Sequence, residues 1–399
     1  MKCKITNKDI KPFMSFGKMP IANGFIKKED FINEFFFEME VGFSEELSLF
    51  QLNDHPKPES MFNANYPFYT GSSEYMKKHF KEFSNYIKSE HLNTNSKIIE
   101  IGSNDGTLLK NFIDNKENIL GIEPSKNVAD KAISEGIPTL NEFFNYENVS
   151  KLKNFVGKTD VIFASNCICH IPNLKNLIEG IDKLLTKKGT FIFEEPYLGS
   201  MFEKTSYDQI YDEHIFMFSG SSVKKIFQLF DMELIDLIKQ PTHGGSMRYV
   251  IARKGMRKIK ENVEVIINEE KFNNLDNIKS CEKFKKDCEK SKMKLKKTLD
   301  IYKNKGKKIA GYAATSKSTT ILNYCNIGTD IIDFICDTTQ EKINKYSPGM
   351  HIPIVPVDYF RNNMPDIAYL FAWNHKEEIF NKEKKFTKNN RKWISHVEL

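Results

Sequence analysis

Apolar residues recur along this chain with two different spacings. Short runs rich in Ile, Val and Phe alternate with segments whose apolar positions return every three to four residues, first over residues 97–200 and again from 307 onward. The runs KIIEIG, NILGIEP, DVIFASN and GTFIFEEP have the length and β-branched content of buried strands, and the helical patterns between them predict a parallel sheet covered on both faces. ELIDLIKQP and SMRYVIAR, over residues 233–253, predict an antiparallel edge to that sheet. The last hundred residues restart the alternation with KKIAGYAA, a helix through Tyr324, then IIDFICD, HIPIVPV, DIAYLFAW and a strand near Trp393. Between the two α/β regions, residues 261–307 carry apolar positions at helical spacing in a Lys- and Glu-rich background, which predicts one long connecting helix with a solvated charged face. Residues 1–90 are irregular, with short strands over 38–43 and 47–52 leading into a helix over 73–91. The fold class is therefore α/β. The expected domains are an N-terminal module (1–90), a central α/β domain (91–255), a connecting helix (256–306) and a smaller C-terminal α/β domain (307–399).

Composition narrows this picture. A chain of 399 residues exceeds one ordinary core, and 40% hydrophobic residues with 32 phenylalanines supply enough apolar surface to exclude extensive disorder. A net charge of +6 is small for the length and spread along it, which argues against a nucleic-acid partner and is compatible with a diphosphate-bearing substrate. No apolar run reaches about 18 residues and the start carries no apolar signal region, so the expectation is a cytoplasmic protein with no membrane partner. Seven scattered cysteines do not make a disulfide framework.

The candidate chemistry begins at the turn after the first central strand. In KIIEIGSNDG, residues 97–106, Ile98, Ile99 and Ile101 form the strand, while Gly102 and Gly106 lack a Cβ and admit close approach to the backbone. Leu108, Leu109 and Phe112 mark the helix that follows. Glu123 ends the next strand, where a carboxylate can accept both hydroxyls of a ribose. A dinucleotide turn requires G-x-G-x-x-G; here the spacing is G-x-x-x-G, with Glu100 ahead of the first glycine. That favours S-adenosylmethionine, whose sulfonium and amine are cationic and which has no pyrophosphate to cradle. A nicotinamide dinucleotide and a ligand-free turn are the competing readings. Gly102, Asn104 and Gly106 would line the cofactor path, and Asn166 the sulfonium side.

Two later segments add titratable groups. SNCICHIPN, residues 165–173, follows a strand, so Asn166 and His170 fall at the carboxyl edge of the sheet where α/β folds bind ligands; His170 is either a donor to a substrate oxygen or a plain loop histidine. SYDQIYDEHIFMFS, residues 206–219, packs Tyr207, Asp208, Tyr211, Asp212, Glu213 and His214 into eight positions. Such density suits proton abstraction, with a histidine as base, an acid to orient it and a phenol for an oxyanion; surface polarity is the plain alternative. THGGSMRY, residues 242–249, with His243, reads best as a tight hairpin.

These words, in this order, resemble the S-adenosylmethionine-dependent C-methyltransferases that act on nucleotide-linked deoxysugars. The resemblance rests on NYPFYTGSSEYMKKHF, IEIGSNDGTLL, SNCICHIPN, EEPYL, YDEHIFMFS, HGGSMRY, SPGMHIPI and FAWNH, and spans nearly the whole chain. It implies a central Rossmann-like methyltransferase domain, a C-terminal Rossmann-like domain and a nucleotide-diphosphate sugar held between domains. It implies His214 as general base with Tyr211 and Glu213 in support, and His170 and Tyr66 as sugar-facing residues. The implied reaction removes the proton at C3 of a 4-keto sugar and methylates the enolate, giving S-adenosylhomocysteine; C5 is the other position open to the same chemistry. Family members hold a structural zinc in the N-terminal module through two C-x-x-C pairs. Here the first pair is reduced to Cys3 with Thr6, and the second reads Ser44-Glu-Glu-Leu47, so no zinc is expected. Packing of Phe13, Phe16, Phe25, Phe35, Phe36 and Phe37 is expected to hold the module instead. The alternatives are an O- or N-methyltransferase on a related sugar, a nicotinamide oxidoreductase and a non-catalytic nucleotide-sugar binder. Lys317, Asn323, Asn374 and His375 are candidate nucleotide contacts or ordinary loop polarity.

Overall fold

The computed structural model describes residues 1–64, 66–388 and 391–399; residue 65, at the head of NYPFYTGSSEYMKKHF, and residues 389 and 390 lie outside the described residues. Three sheets carry the architecture. β1 (Pro12–Pro20), β2 (Phe36–Ser44) and β3 (Leu49–Leu52) form an antiparallel N-terminal sheet. The central sheet collects β4 (Ile98–Ile101), β5 (Ile119–Ile122), β6 (Thr139–Leu140), β7 (Thr159–Ser165) and β8 (Leu185–Pro196) in parallel. The chain then adds β9 (Phe216–Met217) to the N-terminal sheet, beside β3. It returns to the central sheet through β10 (Met232–Gln240) and β11 (Ser246–Arg253), and β11 is antiparallel to both of its neighbours. The central order is β6-β5-β4-β7-β8-β11-β10.

Alternation along the central strands divides their side chains between two apolar layers. Ile98, Phe163 and Ile192 face one, which the helix Glu74–His91 covers with Phe80, Phe83 and Ile87. Ile99, Ile162, Phe191 and Phe193 face the other. The period of two makes this division automatic. Phe83 meets Phe163 edge-on at 6.0 Å, so this helix packs on the central sheet. Ser73 caps its first turn by accepting from the Met76 amide.

The C-terminal sheet is parallel throughout, with order β14-β13-β12-β15-β16 from β12 (Ile309–Tyr312), β13 (Ile335–Asp337), β14 (Ile354–Pro356), β15 (Ile367–Leu370) and β16 (Lys392–Ile394).

Three local expectations change. The segment after the glycine turn is a 3-10 helix, Leu109–Asn118, kinked at Asn115, although Leu109 and Phe112 are buried as their spacing requires. The connecting segment is two helices, Glu261–Phe272 and Ile278–Asn304. Left-handed Asn274 breaks them, letting Leu275 turn into the core and Asn277 cap the second helix. Of the phenylalanines assigned to the N-terminal module, Phe16, Phe25 and Phe37 are buried and Phe13 packs at the margin, but Phe35 and Phe36 are exposed. Strand alternation around buried Phe37 turns Phe36 outward. Among the described residues, no helix is long and apolar enough to cross a membrane.

Candidate active site

A cleft of about 330 Å³ opens at the carboxyl ends of β4, β5 and β7 and extends to the C-terminal domain. It is lined at one end by Gly102, Asn104, Glu123 and Asn166 and at the other by Tyr66, His170, Tyr211, Glu213 and His214. Residues as far apart in the chain as Asn23 and His375 thus share one chamber, as the carboxyl edge of a parallel sheet allows.

At the first end, Gly102 is left-handed (φ 69°), and a Cβ there would fall 2.3 Å from the Cys167 sulfur. Only glycine lets the β7 loop lie this close to the turn. Gly106 (φ 76°) is likewise excluded from carrying a side chain, by Ile137 beneath it, and is not a cleft-lining residue. Glu123 accepts from the Asn104 amide at 3.0 Å and the Ser125 amide at 2.7 Å, so it clamps its own turn while still facing the cleft. Burial pushes its carboxyl up, against those hydrogen bonds. The Asn104 side chain is committed to the segment before the helix Glu74–His91: it accepts from the Thr70 amide and donates to the Phe68 carbonyl. Glu100 lies beneath the turn, away from the cleft lining, and is hydrogen-bonded by the Leu109 amide. Burial, then Asp105, raises its carboxyl well above the usual range. Asn166 is left-handed (φ 52°), and its buried amide oxygen has no partner among the described residues.

At the second end, His214 Nδ1 lies 2.7 Å from the Gln209 carbonyl, which only accepts. The ring proton is therefore on Nδ1, and Nε2 accepts from the Tyr211 hydroxyl at 2.7 Å. Burial holds the imidazole well below its ordinary value and the phenol well above its own, so both are neutral near pH 7. Glu213 accepts from Asn23 Nδ2 at 2.6 Å and from the Tyr66 hydroxyl at 3.4 Å, and burial pushes its carboxyl up to about 7. His170 stacks between Phe62 and His214, with ring centroids 5.5 and 5.3 Å away. Its buried Nε2 has no partner among the described residues, and its imidazole is pushed down to about 4 by burial.

The rest of the YDEH-region cluster disperses. Tyr207 sits in the core against Tyr324, and Asp208 accepts from Trp373 Nε1 at 2.7 Å and lies 3.2 Å from His396 Nε2, at the junction with the C-terminal domain. Asp212 accepts the Ala22 amide. The HGG hairpin places His243 in the left-handed region at the cleft, with Gly244 pressed against Trp373. Lys317, one residue into the helix Ser316–Cys325, lines the cleft while only 9% exposed. Its ammonium donates to Asn374 Oδ1 at 3.2 Å and lies over the Trp373 ring. Asn374 and His375 also line the cleft, but Asn323 donates to Thr319 and Pro348 carbonyls away from it.

Two residues carry structural weight that their sequence position did not disclose. Glu194 and Glu195 are consecutive in β8 and point to opposite faces. Glu194 takes His79 Nε2 at 2.6 Å and Arg248 Nε at 2.7 Å, and these partners outweigh the burial that would raise its carboxyl. Glu195 turns to the loop after β7, where its Oε1 accepts from the amides of Cys167, Ile168 and Cys169 at 3.0, 2.6 and 3.2 Å.

Comparison with known proteins supplies the class. A model described as a methyltransferase domain matches residues 72–237, one described as a C-methyltransferase C-terminal domain matches 241–397, and a proposed zinc binding domain matches 3–62. The C-methyltransferase NovU of Streptomyces niveus is 26% identical over 384 residues, covering 96% of this chain and 91% of that protein. These matches make the chain an S-adenosylmethionine-dependent methyltransferase, similar over nearly its whole length to C-methyltransferases. Among solved structures, a methyltransferase of Anabaena variabilis is similar at 16% identity (TM-score 0.36, covering 46% of this chain and 86% of that one). The magnesium protoporphyrin IX methyltransferase of Synechocystis is similar at 12% (TM-score 0.34, 45% and 83%).

The N-terminal module of this methyltransferase, residues 3–62, matches the zinc binding description with few of the donors that a zinc site uses. A structural zinc needs four ligands of thiolate or imidazole type, and Cys3, Thr6, Ser44 and Leu47 offer one. Gln51 ties the same segment together: fully buried, it accepts from the Lys4 amide at 3.0 Å and donates to the Lys2 carbonyl at 2.9 Å. Cys3 packs as an apolar side chain with Leu47 and Leu49. Among the described residues, the group of ligand-type side chains close enough for a cation is Cys169, His170 and His214, in the cleft, where both ring nitrogens of His214 are already hydrogen-bonded.

Proposed function

We propose that this enzyme methylates carbon C3 of a nucleotide-linked 4-keto deoxysugar by general-base formation of an enolate. The observation that carries this reading is the Tyr211–His214 pair, a neutral imidazole whose basic nitrogen is hydrogen-bonded to a phenol inside the chamber that holds the glycine turn. S-adenosylmethionine, when bound, supplies an electrophilic methyl group. Gly102, Asn104, Glu123 and Asn166 would hold it, and the clamped turn and the unpartnered Asn166 oxygen fit a cationic ligand with a ribose.

The protein's part follows from its hydrogen bonds. The Tyr211 hydroxyl turns from His214 to the ketone oxygen of the acceptor, freeing Nε2 to take the C3 proton. His214 becomes an imidazolium held at Nδ1 by the Gln209 carbonyl, and the enolate oxygen keeps the Tyr211 hydrogen bond. His170 donates to the same oxygen, or to a neighbouring sugar hydroxyl, through its unpartnered nitrogen. Tyr66 and Glu213 fix the sugar's far edge. The ammonium of Lys317, with Asn374 and His375, lies on the C-terminal side where the sugar's diphosphate would extend. The N-terminal module works without metal, its zinc replaced by the Gln51 clip, and the enzyme acts in the cytoplasm.

His214→Asn should leave S-adenosylhomocysteine affinity near normal and lower turnover roughly a hundredfold or more. Mass spectrometry of 4-keto nucleotide-sugars incubated with enzyme, with and without cofactor in deuterated water, tests the reaction. A gain of one methyl, and deuterium beside the ketone when cofactor is withheld, is expected. Methylation of a sugar lacking the ketone would favour oxygen or nitrogen as the acceptor atom instead.

A further inference from the structure

The loop that joins the two ends of the chamber, residues 166–170, follows β7; backbone bonds hold its ends, from the Asn166 amide to the Glu194 carbonyl and from the Ile215 amide to the Cys169 carbonyl, and it closes in a 3-10 turn over Ile168–His170. Its first residues belong to the cofactor end: Asn166 is left-handed, and the Cys167 sulfur occupies the space that Gly102 leaves empty. Its last belongs to the acceptor end: the His170 ring lies against His214. Between them, three successive amides converge on one oxygen, Glu195 Oε1. Successive amides arranged in this way form an anion site, and the protein fills it with a carboxylate of its own. Glu195 is fully buried, and its other oxygen, Oε2, has no hydrogen-bond partner among the described residues. Burial pushes the carboxyl up to about 7 even though the amides and the Cys169 thiol oppose it. A buried carboxylate left this exposed to its own desolvation cost is an expensive way to fasten a loop unless the loop's position matters.

We propose that Glu195 is a positioning residue for methyl transfer. It sets the loop so that the cofactor-facing Asn166 and Cys167 and the acceptor-facing His170 are registered to one another. It acts through the three amides and touches neither reactant. Its neighbour Glu194, tied to His79 and Arg248, fixes the strand from which it reaches. The proposal rests on the carbon-methylation reading for its turnover arm but not for its spectroscopic arm.

Glu195→Gln keeps an oxygen for the amides while removing the charge, and Glu195→Ala removes both. At pH 8, where the parent carboxyl is ionised, we expect in Glu195→Gln an unchanged fold by circular dichroism, S-adenosylhomocysteine affinity within about threefold, and turnover of the keto-sugar down roughly tenfold, since charge-assisted hydrogen bonds are about twice as strong as neutral ones. A double-mutant cycle with His170→Ala separates positioning from bulk structure. If Glu195 acts through His170, the tenfold loss shrinks to about twofold in the His170→Ala background. Full multiplication of the two losses, or unchanged turnover in Glu195→Gln, overturns the proposal. The imidazole NMR signals of His170 in the S-adenosylhomocysteine complex require no acceptor, and they should shift or broaden in Glu195→Gln. Signals identical to those of the parent would overturn the proposal even if the acceptor assignment failed for other reasons.

Discussion

Two turns in this molecule are built alike and serve differently. After β4, the Gly102 amide donates to the Ile122 carbonyl, and the next residue, Glu123, accepts amides from both the turn and the start of the following helix. After β12, the Ala313 amide donates to the Cys336 carbonyl, and the next residue, Asp337, accepts from Ala314 and Thr339. Each turn begins with a left-handed residue, Gly102 at φ 69° and Ala313 at φ 71°. In the central turn, however, the carboxylate faces the cleft, whereas Asp337 is not among the cleft-lining residues. What reaches the cleft from the C-terminal unit is the start of its helix, with Lys317. The comparison teaches that the carboxylate clamp belongs to the strand-turn-helix unit itself. Ligand choice is added by what the turn leaves uncovered.

Substitutions at matched positions can break that comparison. The largest effect is expected at Gly102→Val, where a left-handed backbone and a clash with the Cys167 sulfur together cost about 3 kcal/mol or more. Calorimetry should show S-adenosylhomocysteine affinity falling roughly a hundredfold, while Ala313→Gly, relieving the same backbone strain, leaves it unchanged. Next, Lys317→Met should raise the acceptor KM about tenfold and leave cofactor affinity alone, as loss of a hydrogen bond to a charged group predicts. An equal fall in cofactor affinity would mean that the second unit serves both ligands. Asp337→Asn comes third: its charge-assisted bonds fasten only the C-terminal turn, so chemical denaturation should reveal a loss of roughly 1–2 kcal/mol with cofactor binding intact. The smallest effect is expected from a chelator. Thermal unfolding before and after extended dialysis against one should coincide, and a lowered midpoint together with stoichiometric zinc in the untreated protein would refute the Gln51 clip.

Period and composition made much of the scaffold legible. The β-branched runs at 98–101, 119–122 and 159–165 became central strands because buried parallel strands need little beyond continuous apolar content. The titratable cluster at 206–214 announced itself by density, yet of its titratable groups only Tyr211, Glu213 and His214 line the cleft, because a 3-10 turn at Tyr207–Gln209 aims Tyr207 and Asp208 at the C-terminal domain. Glu100 reads as a cofactor ligand by its place before the glycine, but strand alternation sends it beneath the turn. Two-residue strands such as β6 and β9 carry no period at all. The opposite duties of Glu194 and Glu195 depend on partners at least 26 positions distant, which a local pattern does not register.

β9 has a consequence for anyone who would shorten this protein. The residues directly after the proposed base are spoken for by the N-terminal sheet: the Leu52 amide donates to the Ile215 carbonyl, and Phe216 and Met217 pair with Gln51 and Phe50. Cutting away the first sixty residues would therefore not liberate a minimal methyltransferase. It would unfasten the backbone next to His214 and uncover Phe216 and Met217, so the smallest autonomous unit of this enzyme includes the module whose match to a zinc binding domain invites its removal as an appendage.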